Sequence, residues 1–133
     1  MTIGFESRTL GIYIQRPLDE VYRFIKIPEN FPKWASGLGH AITLINGEWV
    51  VETPQGLIRV RFSEHNEWGV ADHTVILETG RELYVPMRVV SNGTGSEVVF
   101  TLFRLPDMSD EQFVEDIEKV EQDLKALKRV LES

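Results

Sequence analysis

The chain contains no cysteine. Disulfides, thiolate-bound zinc and cysteine nucleophiles are thereby excluded, and the composition fits the cytoplasm, the expected location. Long apolar runs are missing too: nothing approaches the ~18 residues of a membrane span, and the first residues do not read as a secretory leader. Positive charge is scarce, with 14 Lys and Arg against 21 Asp and Glu for a net charge of -7. Nucleic acid and anionic membranes, which are bound through basic patches, are therefore not expected as partners. The three histidines, His40, His65 and His73, show no HExxH or other compact ligand spacing, so no metal is expected and no cofactor is indicated. No GxSxG elbow occurs, and the sequence after Gly93 and Gly95 continues as a strand instead of opening a phosphate-binding helix.

What is present suits one domain over residues 1–133, because 42% hydrophobic content can fill a core and no linker-like composition interrupts it. Ser109 to Glu132 is the longest helical signal. Phe113, Ile117, Val120, Leu124, Leu127 and Leu131 recur at spacings of three and four, with Val114 and Val130 widening the stripe. Ser109 followed by Gln112 reads as a capping box, and acids in the first half with bases further on suit the helix dipole.

Upstream, Leu10, Ile12 and Ile14 alternate as in a half-buried strand. Pro17 opens a short helix to residue 26 whose stripe is Leu18, Val21, Tyr22 and Ile25, and Pro28 ends it. Glu29 to Ala35 reads as a second short helix carrying Phe31 and Trp34. The pattern then changes to hairpins. Asn46-Gly47 predicts a two-residue turn that sets Leu44 opposite Trp49 and Ile42 opposite Val51. A turn at Pro54, Gln55 and Gly56 sets Val51 against Ile58 and Trp49 against Val60, leaving Glu48, Glu52, Arg59 and Arg61 as solvated charges on the other face. Strands follow at about 70–78, 82–91 and 96–105, with turns at Thr79-Gly80 and across Asn92 to Gly95. This register predicts an inner face of Val70, Asp72, Thr74, Ile76, Leu83, Val85, Met87, Val89, Val98, Phe100 and Leu102. Ala71, His73, Val75, Tyr84, Arg88 and Glu97 fall on the partner face, subject to a bulge near Pro86. Strand, two short helices, six antiparallel strands and a long helix make an α+β chain.

That order, together with RPLDEVYRFIKIPENFPKWASG, NEWGVADHTV and PMRVVSNGTGSEVVFTLFR leading into SDEQFVEDIEKVEQDLKALKRVLE, resembles the START-like (SRPBCC, Bet v 1-like) superfamily over nearly the whole chain. The resemblance implies a helix-grip fold: a curved seven-stranded antiparallel sheet around the C-terminal helix, with two short helices after strand 1. It also implies a cavity for a small hydrophobic or amphipathic ligand. The inward register nominates Trp49, Val60, Asp72, Thr74, Val85, Met87, Phe100 and Phe113 as lining residues. Buried Asp72 and Thr74 would either orient a ligand or satisfy each other and water. The superfamily's aromatic-ring cyclases imply an alternative, an enzyme acting on a cavity-bound ketone. There Asp72 or His73 would manage protons and Arg88 would stabilise oxyanion charge. Against this, neighbouring strand residues point to opposite faces, and Arg88 could instead pair with Glu97. A protein-interaction module is the third reading.

Overall fold

Residues 4–35, 41–54 and 56–133 are described by the computed structural model, so the expectations for His40 and Gln55 lie outside the described residues. The chain runs β1 (Ser7–Ile14), α1 (Leu18–Lys26), a 3-10 turn (Pro28–Asn30) and α2 (Phe31–Trp34). It continues through β2 (Ile42–Ile45), β3 (Glu48–Thr53), β4 (Gly56–Phe62), β5 (His73–Ile76), β6 (Glu82–Val85), β7 (Met87–Asn92) and β8 (Gly95–Phe103) to α3 (Asp110–Glu132). No helix among the described residues is long and apolar enough to cross a membrane.

The six stripe residues of α3 are all buried, whereas Val114 and Val130 are exposed and do not widen the contact as expected. Ser109 caps the helix by accepting the Gln112 amide at 3.1 Å. At the other end Glu132 accepts the Gln15 amide at 2.8 Å, and Lys128 donates to the Tyr13 carbonyl at 2.8 Å. These bonds fix α3 to the end of β1, while α2 packs on the helix from another side.

The strands form two antiparallel sheets, β1-β8-β7 and β2-β3-β4-β5-β6. The expected seventh-strand count fails at Pro86, which has no amide hydrogen to continue a ladder and divides the anticipated 82–91 strand into β6 and β7. The segment before β5 bridges the sheets: Ala71 donates to the Met87 carbonyl at 2.8 Å and Val89 to that of Gly69 at 2.9 Å.

Both early hairpins have the predicted register, with Leu44 opposite Trp49, Ile42 opposite Val51, Val51 opposite Ile58 and Trp49 opposite Val60. Asn46 and Gly47 take φ of 51° and 81°, as a twisted two-residue turn requires. The later hairpin corrects the expectation. Its loop holds three residues rather than two, with Leu77 bonded to Arg81 and Gly80 at φ 90°. One extra residue shifts the pairing to His73–Val85 and Thr74–Tyr84, and a shift of one exchanges the faces. Ala71 and His73 are therefore buried inside, and Val75 packs on the core. Asp72, Thr74 and Ile76 belong to the opposite face.

Candidate functional site

Cleft residues come from five places. Lys26 is the last residue of α1 and Pro28 follows it; Gly47, Glu48 and Trp49 form the turn into β3; Arg59 to Phe62 end β4; Ser63 and His65 begin the next loop, with Ile76 of β5 completing the lining. They enclose a cleft of about 530 Å3. Trp49, Val60 and Phe62 alternate inward through the β3–β4 register and make the floor apolar.

The cleft's wall is tied to the helix. Tyr22 accepts the Asn66 amide at 3.0 Å, and its ring lies 5.3 Å from that of His65. Asn66 uses its carboxamide throughout the loop: Oδ1 accepts the amides of Trp68 and Val70, and Nδ2 donates to the carbonyls of Glu64 and Val70. Lys26 closes this side by donating to the carbonyl oxygen of Ser63 and, at 3.3 Å, to its hydroxyl. Burial lowers the Lys26 pKa. Arg59 and Arg61 border the cleft with guanidinium groups already engaged, Arg59 by Glu48 at 3.2 Å and Arg61 by Glu82 at 3.4 Å.

Behind the Phe62 floor lies His73, whose ring meets Phe31 at 5.7 Å, Phe62 at 6.3 Å and Phe100 at 6.2 Å. Its Nδ1 is 3.2 Å from the Ala71 carbonyl oxygen, which can only accept, so the neutral ring carries its proton there. Burial pushes the imidazole down to about 4; the Ala71 bond and the Asp72 charge oppose the shift, and the Lys26 charge adds to it.

No protein-family model and no curated protein matches the chain in sequence. In three dimensions it is similar to a START superfamily protein from Mycobacterium smegmatis, at 12% identity and TM-score 0.76 over 95% of this chain and 97% of that one. Ara h 8.0201 is similar at 14% identity and TM-score 0.71, over 96% and 98% of the two chains. DynU16, from the dynemicin biosynthetic locus, matches at 14% and 0.69, over 96% of this chain but 47% of its own. The fold is the START-like helix grip.

Within this START-like frame the nominated residues separate. Trp49 and Val60 line the cleft. Met87, Phe100 and Phe113 are buried, and Val85 packs against the core from β6. Thr74 faces the other way, opposite Arg61 and Tyr84. Asp72 is bound on that outer side: Oδ1 accepts from the Met87 amide at 2.9 Å and Arg88 Nε at 2.8 Å, Oδ2 from Tyr84 at 2.7 Å and Arg88 Nη2 at 2.9 Å. Burial alone would raise its carboxyl, yet the bonds from Arg88, Tyr84 and Met87 hold it down at about 2. Arg88 thus takes Asp72 rather than Glu97, which receives Asn92 instead. Asp72 and Arg88 clasp each other outside while His73 is inside, so the three do not enclose one reacting space. Lys26, Phe62 and Ser63 are not among the nominated lining residues, and His65 enters the sequence analysis only as a possible metal ligand. Lys26 carried a usable signal, since it stands four residues beyond Tyr22 and borders the buried stripe of α1.

Proposed function

We propose that the protein binds a small hydrophobic or amphipathic molecule in the cleft between the end of α1 and strands β3 and β4. The observation that carries this reading is the cleft itself. Its volume of about 530 Å3 falls within the roughly 300–1,000 Å3 of small-molecule sites. An indole, an isopropyl group and a phenyl ring line the cleft beside the polar residues Lys26, Ser63 and His65. Desolvating these apolar groups is favourable by roughly 25 cal/mol per Å2 of apolar surface covered. The START-like fold is compatible with this role without dictating it, because folds host several functions. The Asp72–Arg88 pair is assigned to structure in this reading, since its hydrogen bonds are already made within the protein.

Titration with decanol, followed by tryptophan emission, tests the proposal. A saturable change is expected in the wild type and in Trp68→Phe, and most of it should vanish in Trp49→Phe. A full-sized change persisting in Trp49→Phe, or no saturable change at all, contradicts the assignment.

A further inference from the structure

We infer that the cleft's occupant is a monoanionic amphiphile, a single-chain carboxylate whose head group is held by Lys26 and whose tail lies on Trp49, Val60 and Phe62. This rests on the binding reading above and adds the charge of the ligand. Lys26, Arg59 and Arg61 are the cations in the cleft's lining, but strand alternation turns both arginines to the sheet face opposite Val60 and Phe62. Two of those cations are committed, Arg59 to Glu48 and Arg61 to Glu82. Among the described residues Lys26 has no carboxylate partner; its ammonium meets only the neutral carbonyl and hydroxyl of Ser63.

An ammonium carries three donors, and Ser63 accounts for two. One donor and one whole positive charge remain at the cleft's edge, partly removed from water, where an anion restores the lost solvation and forms a charge-assisted bond. A singly charged head matches that single cation. A dianion would need Arg59 or Arg61 to leave its acid. The apolar floor begins beside the lysine at Phe62, next to Ser63 in sequence, and extends to Trp49 across the β3–β4 pair, so head and tail positions are contiguous. Lysine is suited to this task as a compact point charge that accepts carboxylates in varied orientations.

Isothermal titration with decanoate, decanol, decyl phosphate and decyltrimethylammonium, at one ionic strength, tests the inference. Wild-type protein should bind decanoate at least about tenfold more tightly than decanol, as a charge-assisted bond predicts, with decyltrimethylammonium weakest. Lys26→Met should bring decanoate to within about twofold of decanol. Lys26→Arg should keep the preference. Thermal melts of Lys26→Met, which lacks the bonds to Ser63, run beside the titrations and separate lost recognition from lost folding. Should that variant fail to fold, the wild-type head-group series and Lys26→Gln still decide the matter. Equal affinity for decanoate and decanol overturns the anion assignment and leaves cleft binding standing. Binding of neither overturns both. Tighter binding of decyl phosphate overturns the monoanion, and a preference surviving in Lys26→Met overturns the lysine.

Discussion

His73 is an imidazole set among Phe31, Phe62 and Phe100 with the Ala71 carbonyl as its hydrogen-bond partner among the described residues, and that setting has a measurable consequence. Its folded pKa of about 4 lies below the ordinary value of 6.5. Between those values the unfolded chain binds a proton that the folded chain refuses, so stability is full above pH 6.5 and falls as pH drops toward 4. The loss should be about 3 kcal/mol across that window. Denaturant melts of His73→Phe should lack this slope, and a variant that retains it would contradict the assignment. Asp72 acts in a lower and separate window: with its pKa depressed from 3.8 to about 2, its contribution is present above 3.8 and is lost only as pH falls through 2. Both residues were visible in the sequence as an adjacent acid and base, and the alternation of a strand correctly separated them. Which of the two faced inward was not legible, because that depended on one residue in a distant loop.

At the scale of elements, the signals that succeeded were local. The six-residue stripe of α3, the Ser109 cap on the Gln112 amide and the Asn46-Gly47 hairpin each follow from side chains within a turn or two and are as expected, although Val114 and Val130 are exposed and the Gln112 side chain turns to Asp116 instead of completing a capping box. The signals that failed were those in which a loop's length or a proline's missing donor set the outcome for a whole strand. Gly80 lets three residues turn where two were anticipated, and Pro86 ends one strand and starts another. Gly69 was not singled out by the sequence, although it fixes the bridge between the two sheets. Its φ is 73°, its carbonyl accepts the Val89 amide, and a Cβ built there would overlap the Val89 carbonyl oxygen. Gly69→Ala combines an unfavourable backbone region with a clash against another backbone, which cannot rotate away. It should cost about 2–4 kcal/mol, read as a fall in the denaturant midpoint with the slope unchanged. A loss below about 0.5 kcal/mol, the range of ordinary surface changes, would show that the bridge does not depend on this close approach.

For the molecule as a whole, the order of elements and the stretches that resemble the START-like superfamily were legible in the sequence, and the resemblance implied the helix-grip architecture. The position of the open space was harder to read. Expectation placed it between the sheet and α3, where residues such as Met87 and Phe100 in fact meet the core. The cleft lies at the end of α1, over β3 and β4, and α3, which packs chiefly on β1 and α2, is not part of its lining. Only Trp49 and Val60 belong to both sets. Nothing local in the sequence places Lys26 across from Phe62, since that proximity arises from how the 63–70 loop folds back onto Tyr22. The most direct test is a backbone and side-chain NMR titration with decanoate. Shift changes should cluster at Lys26, Trp49, Val60, Phe62 and His65 and saturate together, while Met87, Phe100 and Phe113 move little. Saturating changes centred on those three core residues, with the Lys26 and Trp49 signals unmoved, would contradict the cleft as the binding site.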